Sequence, residues 1–356
     1  MSPSLQDVAE RAGVSPSAVS AALRDGPTGN VRLAEATRRR VRRAAAELGY
    51  QTNPLARGLR GQATRTVGVL WWRGGPPARQ FMARRLARTF QGRGYATYVA
   101  DHFEDPGHVL AVLGDFARRG VDGVVLEAPP AVAASVKVAA ALRAFRAAVV
   151  VRPSAKGRPA RDLVIHDRLP AIRAAVDHLV ARGRRRPLFL LAAYAAEGKA
   201  GAFRDALRRH GIDAPDDAVV TLPEDATADS AARAAVDAME AHFGGCRGRR
   251  VPFDAVVGTS DELAVGVLAW LRRRGVRVPD DVALVGANDT DFGPWLDPPL
   301  ATIDRREAQL AAAVEGRLFE RLEHPDAPPT RTHVPMVFIW RASAGGVAPV
   351  TPEPLP

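Results

Sequence analysis

Two stretches near the start of the chain hold residue types that can recognise a polyanion. In LQDVAERAGVSPSAVSAAL, Leu5 to Leu23, small hydroxylated and aliphatic residues stand at the spacing of two helices joined by a tight turn. Farther on, Arg38, Arg39, Arg40, Arg42 and Arg43 crowd one face of a third helix. Hydroxyl and small apolar side chains on a narrow helix suit contact with base edges, and guanidinium groups suit backbone phosphates. No catalytic pattern competes. There is no G-x-S-x-G elbow, H-E-x-x-H pair, Walker loop or G-x-G-x-x-G opening a helix. His102, His108, His166 and His178 are scattered, as structural or surface histidines usually are. Cys246 is the sole cysteine and has no ligand partner at zinc spacing, so neither a metal site nor a cofactor is expected.

The elements that hold these residues can be built from local rules. Ser4 is an N-cap with Asp7 as its capping-box partner. Leu5, Val8, Ala9 and Ala12 fall on one helical face. Gly13 permits the left-handed turn that follows. Ser15 caps the second helix and Pro16 takes its first position, where a missing N–H costs nothing. Val19, Ala22 and Leu23 then face inward, leaving Ser17, Ser20, Ala21 and Arg24 on or near the outer face. Asp25 to Asn30 is a turn-rich loop. The third helix runs from about Ala34 to Leu48, burying Val41, Ala44, Ala45 and Leu48, with Gly49 as its stop. Taken alone, the pattern serves an ordinary amphipathic helix pair as well as a DNA-reading one, and the arginine face could simply be solvated.

Charge favours the DNA reading. The 356-residue chain carries a formal charge of +11. Residues 1–65 hold eleven arginines against five acidic residues, over half the excess in under a fifth of the length. Arginine is enriched throughout, with Lys137, Lys156 and Lys199 the only lysines, but the asymmetry is additional to that bias. Apolar content of 47% and the lack of any run of eighteen apolar residues describe a globular chain with no membrane span. The start lacks a secretory h-region.

With these residues in view, DVAERAGVSPSAVSAAL, NVRLAEATRRRV, ELGYQTNPLARGLR and TRTVGVL resemble the lac/galactose repressor family of bacterial transcription regulators. The resemblance implies that Ser15 to Leu23 is a recognition helix. Its base-reading positions would be Pro16, Ser17 and Ala21, with Leu5, Ser15, Ser20, Arg24 and Asn30 also at the DNA. Ala21 stands where many members carry a long polar side chain, and Ala34 replaces the usual Ser cap. Residues 51–62, a weak helix candidate on their own, become a hinge helix that orders on operator DNA and pairs with its dimer mate in the minor groove. Asn53 caps it, Ala56 lies against the groove, Leu59 wedges between base pairs, and Arg57 and Arg60 reach phosphates.

From Thr66 strands alternate with helices, which implies a parallel sheet covered on both faces. Strands are expected at VGVLWW, YATYVAD, DGVVLEAP and AAVVVRP, with helices at 79–92, 107–119 and 136–145. A second unit is expected to open at VIHD, near residue 163, and to run through PLFLLAA, VVTL, DAVVGTS and VALVGAND, with helices at 170–182, 199–210, 229–242 and 261–274. Two such lobes leave a cleft, the default ligand site. HDRLPAIRAAVDHLVARGRRRPLFLL, FDAVVGTSDELAVGVLAWLRRRGVRVPDDVALVGAND and PPLATIDRREAQLAAAVEGRLFERL resemble the same family's periplasmic-binding-protein-like effector core. On that resemblance Lys199 takes the place of a cleft arginine, Ser260 of an asparagine before Asp261, and Asn288 of the first aspartate in the pair completed by Asp289. Arg168 stands where an Asn usually follows Asp167. Trp71, Trp72 and Arg73 end the first strand, Arg152 ends the fourth, and Trp295 lies in a loop near the cleft mouth. These too are assigned to the effector, although a strand-end tryptophan more often packs than binds.

The expected architecture is thus a small all-α helix-turn-helix DNA-binding domain (1–50), a hinge (51–64), an α/β periplasmic-binding-protein-like core of two lobes with parallel sheets (65–344), and a disordered Pro-rich tail (345–356). The expected function is sequence-specific, operator-binding transcriptional regulation, most simply repression, by a cytoplasmic, nucleoid-associated homodimer. Its partners would be a pseudo-palindromic duplex and a small-molecule effector. A sugar is the first expectation for the effector by analogy; a non-sugar metabolite or a degenerate pocket is the alternative. A transport solute-binding protein shares the core but not the basic N-terminal module.

Overall fold

The computed structural model describes residues 3–23, 33–50, 63–71, 77–154, 159–192, 198–223, 230–246 and 248–345. The chain divides into two units, Met1–Arg65 and Thr66–Pro356.

In the first unit, α1 spans Leu5–Ala12, α2 Pro16–Ala22 and α3 Glu35–Leu48. The capping box forms as its residues dictate: the Ser4 hydroxyl accepts from the Asp7 amide, and the Asp7 carboxylate accepts from the Ser4 amide at 2.7 Å. Those contacts hold the Asp7 carboxyl below its ordinary pKa. Gly13 ends α1 at φ 59°, a left-handed conformation that brings the chain round to the Ser15 cap of α2. Ala34 starts α3 without a side-chain cap. Val8, Ala9, Ala12, Val19, Ala22, Val41, Ala44 and Ala45 form the core, edged by Leu5, Leu23, Leu33, Leu48 and Tyr50. Five of the eight fully buried members are alanines, so the helices approach closely over little apolar area.

The second unit has two lobes. In lobe 1 the strands β1 (Thr66–Leu70), β2 (Ala96–Ala100), β3 (Gly123–Glu127), β4 (Ala147–Arg152), β5 (Asp162–Ile165) and β11 (Arg331–His333) make one parallel sheet in the order β11-β5-β4-β3-β1-β2. The helices of this lobe are α4 (Pro77–Gly92), α5 (Pro106–Arg118), α6 (Pro130–Ala134), α7 (Val136–Ala141) and α12 (Glu307–Glu323). One sheet face packs Val67, Val69, Val125 and Val149 against Met82, Leu86, Val314 and Leu318 of α4 and α12. The other packs Leu70, Val124, Leu126 and Val150 against Val109, Leu113, Phe116, Val132 and Val138 of α5 to α7. In lobe 2, β6 (Pro187–Leu191), β7 (Val219–Thr221), β8 (Ala255–Gly258) and β9 (Ala283–Val285) form a parallel sheet, order β7-β6-β8-β9. It is covered by α8 (Leu169–Ala181), α9 (Lys199–Arg209), α10 (Ala231–Phe243) and α11 (Asp261–Arg273). A small antiparallel pair, β10 (Thr302–Asp304) with β12 (Val337–Ile339), completes it.

The lobe boundary differs from the sequence expectation. VIHD does not open lobe 2: β5 pairs in parallel with β4, Val149 opposite Asp162. The reason lies at the far end of the chain. Asp162 accepts hydrogen bonds from Arg321 Nε at 2.7 Å and from the Thr330 amide at 2.9 Å, which fasten α12 and β11 to β5. The chain therefore crosses between lobes three times, at 166–168, 305–306 and 334–336. The crossings are bonded together: His166 Nε2 lies 2.6 Å from the Arg305 carbonyl oxygen, and the Met336 amide donates to the Asp167 carbonyl at 2.9 Å. No described helix is long and apolar enough to cross a membrane.

Candidate functional site

The helix pair presents one narrow polar face. Ser15, Pro16 and Ser17 are exposed, while Ser20 and Ala21 are half-buried. The Ser15 hydroxyl accepts from the Ala18 amide at 3.3 Å and lies 2.8 Å from the Ser17 hydroxyl, so capping already engages part of this polar set. Leu5 is half-buried against the small core, which confines any outward contact to the rest of its side chain. The arginine face divides by role. Arg40 Nε donates to the Ala12 carbonyl at 2.8 Å, tying α3 to the end of α1. Arg11 and Arg43 share Glu47, at 2.9 and 3.5 Å. Arg39 and Arg42 stay exposed with no partner recorded among the described residues, and they suit phosphate contact. Arg24, Asn30, Asn53, Ala56, Arg57, Leu59 and Arg60, the remaining residues assigned to DNA, lie outside the described residues, as does the tail from 346.

In the second unit a cavity of about 960 Å³ lies between the lobes, at the carboxyl ends of the parallel strands. Strand ends supply its polar wall: Glu127 closes β3, Arg152 closes β4, His166 follows β5, Thr259 follows β8 and Arg305 follows β10. Arg168, Leu169, Gly198 and Lys199 line it from the first turns of α8 and α9. Of the residues assigned to effector from sequence, Arg152, Lys199 and Asn288 meet here. His102, Glu127, His166, Thr259 and Arg305 meet here too, although the sequence reading set both histidines aside.

Several polar atoms in this wall find no hydrogen-bond partner among the described residues: His102 Nε2, Arg152 Nε and Asn288 Nδ2. His102 Nδ1 accepts from the Glu104 amide at 2.9 Å, which leaves the ring proton on Nε2, 3.7 Å from a Glu127 carboxylate oxygen. Asn288 is held at φ 103° and is only 8% exposed. Such a backbone costs on the order of 1–3 kcal/mol, a strain that clusters at ligand sites. His166 is deeply buried, and its pKa falls to about 3, chiefly from desolvation and then from the adjacent Arg305 guanidinium, with Arg168 adding to it. The ring is therefore neutral at physiological pH and donates from Nε2 to the Arg305 carbonyl.

The other assigned residues are placed elsewhere. Trp71 is fully buried and packs with Val67, Val69, Met82 and Leu86, because it continues the inward-facing alternation of β1. Ser260 is buried and caps α11, accepting from the Leu263 amide at 3.3 Å. Asp261 is fully buried: it accepts from Thr302 Oγ1 at 2.7 Å and from the Thr290 amide and hydroxyl at 2.7 and 2.9 Å. It joins α11 to the loops after β9 and before β10, and burial, the largest influence, raises its pKa to about 7. Gly286 admits this carboxylate, since a Cβ there would sit 2.2 Å from Asp261 Oδ1. Trp295 is 86% exposed on a short 3₁₀ turn that does not line the cavity. Trp72 and Arg73 lie outside the described residues. No group of side chains among the described residues is arranged to hold a metal ion.

Comparison with known proteins agrees with both units. Residues 4–53 match the family model described as bacterial regulatory proteins, lacI family, and residues 176–344 match that of a periplasmic binding protein-like domain. The ribose operon repressor of Escherichia coli (strain K12) is 26% identical over 343 residues, covering 96% of this chain and 99% of the relative. The transcriptional repressor PurR of Mannheimia succiniciproducens is 23% identical over 97% of this chain and 99% of its own length. In fold, the chain is similar to the lac repressor dimer bound to operator and the anti-inducer ONPF, with a TM-score of 0.79 and 21% identity over 97% and 99% of the two chains. A transcriptional regulator CelR–cellobiose complex aligns with a TM-score of 0.62 and 23% identity over 96% and 99%. Matched from its capped first helix through its two-lobed core, and along nearly the whole length of known repressors, the chain belongs to the lacI family of bacterial DNA-binding transcription regulators.

Proposed function

We propose that the protein is an operator-specific repressor that acts as a homodimer in the cytoplasm, on the nucleoid, and that a sugar or related metabolite in the cleft sets its affinity for DNA. The observation that carries this reading is the cavity between lobes, with the donors His102 Nε2, Arg152 Nε and Asn288 Nδ2 unpaired in its wall. Buried donors without partners are costly, and a ligand bridging the lobes satisfies them. Because three bonded chain crossings form the floor of the same cavity, a ligand that favours one lobe arrangement biases the whole core.

On this reading residues 1–50 read the operator. Pro16, Ser17, Ser20 and Ala21 face the major groove, while Leu5, Ser15, Arg24 and Asn30 adjoin it. Residues 51–64 form the hinge, with Asn53, Ala56, Arg57, Leu59 and Arg60 at the minor groove. Residues 65–344 hold the effector and the dimer contact, and 345–356 are a tail. Arg152, Lys199 and Asn288 contact the ligand; Trp72 and Arg73 at the cleft edge are retained as candidates. Selection of sites from a random duplex library by the full chain is expected to enrich an inverted repeat of two half-sites. Enrichment of an unpaired motif, or of none, rejects the dimeric operator reading.

A further inference from the structure

The two walls of the cleft differ in chemistry. On the lobe 1 side, a fixed donor (His102 Nε2), an acceptor pair (the Glu127 carboxylate) and a second donor (Arg152 Nε) alternate along the strand ends. Alternating donors and acceptors match the hydroxyl group, which uses both functions at once. At the floor and on the lobe 2 side the character is cationic. Arg168, Arg305 and Lys199 line this region together with Asn288, while the carboxylate of Asp167 is turned to the Leu169 amide at 2.9 Å.

Backbone dipoles reinforce the cations. Helices α8 and α9, of 13 and 11 residues, both begin at the cavity, and neither N-cap residue supplies a side-chain hydrogen bond. Their partial positive charge therefore points into the same space. Asn288 adds an independent sign. It is over nine-tenths buried, lines the cavity, and its Nδ2 has no partner among the described residues. The buried His166 between Arg305 and Arg168, kept neutral partly by their charge, registers the positive field that a ligand meets there. A neutral ligand closing over this floor strips water from cations without replacing it by countercharge, which is unfavourable.

We infer that the effector is a polyhydroxylated compound bearing a carboxylate or phosphate, its anion held by Arg168, Lys199, Arg305 and Asn288 and its hydroxyls by His102, Glu127 and Arg152. This rests on the cleft being the ligand site, as proposed above.

Isothermal titration and thermal shift of the full chain, at constant ionic strength, test it with D-glucose, D-gluconate, D-glucose 6-phosphate and inorganic phosphate. At least one charged sugar is expected to bind tenfold or more tightly than glucose, with the gluconate and phosphate arms telling carboxylate from phosphate. Inorganic phosphate is expected to compete with it. Arg168→Asn, at a half-buried position, is expected to cut the charged ligand's affinity at least tenfold while circular dichroism and the ligand-free melting temperature stay unchanged. If that variant melts early, a steep fall of wild-type affinity with added chloride serves in its place. Glucose binding as tightly as both charged sugars, or Arg168→Asn leaving their affinity intact, overturns the inference while leaving the cleft as the ligand site. Binding of none of the four overturns the inference and the cleft reading together.

Discussion

His166 has no easy way to accept a second proton: it is buried, it is bonded to the Arg305 carbonyl, and two guanidinium groups stand beside it. Its folded-state pKa, about 3, lies below the ordinary 6.5. Between those values the unfolded chain binds the proton and the folded chain does not, so stability falls as the pH is lowered through this window, by at most about 1.4 kcal/mol per unit from this group. His166→Gln, which keeps a donor near the carbonyl, is expected to flatten the acid limb of a pH series of urea melts; an unchanged limb counts against the ring as its source. Asp261 acts with opposite sign. Its pKa is raised from 3.8 to about 7, so the folded state holds the extra proton and stability falls as pH rises through that range. Asp261→Asn is expected to remove that decline in the same melts. At this scale the sequence was legible where a side chain ends a strand or opens a helix, as for Arg152 and Lys199. Trp71 was misread because its place after an apolar strand suggested the cleft, whereas alternation from Val67 through Val69 already pointed it into the core. His102 and Arg305 were not legible, since each reaches the cavity only through pairings made far along the chain.

Local rules carried the helices of the first unit almost unaided, because caps and apolar spacing act within a few residues. Ser4, Gly13, Ser15 and Pro16 each take the role their type dictates. The weak point is the uncapped start of α3 at Ala34. Ala34→Ser supplies the missing acceptor and is expected to stabilise the unit by about 1 kcal/mol. Slower hydrogen exchange at the first amides of α3 in the full chain would register it, and unchanged exchange would show that the cap does not form. In the core the limit of sequence reading was β5. VIHD has the composition of any buried strand, and only Arg321 and Thr330, more than 150 residues later, decide which sheet it joins. The helix α12 carried its own signal, with Leu310, Val314, Leu318 and Leu322 at four-residue spacing facing lobe 1. The lobe it covers follows from topology and not from that spacing.

At the scale of the molecule, an arginine-rich first unit and an independently cored second unit set separate expectations. Residues 66–356 contain both lobes and all three crossings, so this fragment is expected to melt cooperatively and to bind the same ligand as the full chain. A fragment that fails to fold would place the boundary elsewhere. Exposed Arg39 and Arg42, with the hinge arginines, imply that log K for DNA falls linearly with log salt; a flat salt dependence would contradict phosphate contact. What joins the two units in function is linkage. A ligand that raises the melting temperature of residues 66–356 must discriminate between DNA-bound and free protein if the cleft controls the operator, and the operator must alter ligand affinity by the same factor. The most direct measurement is a fluorescence-anisotropy titration of the full chain on its selected inverted repeat, with and without a saturating cleft ligand, repeated with Arg168→Asn. A change in Kd of tenfold or more that requires higher ligand concentration in the variant is the predicted result. Occupancy of the cleft, shown by the thermal shift, with no change in Kd for DNA would contradict the account.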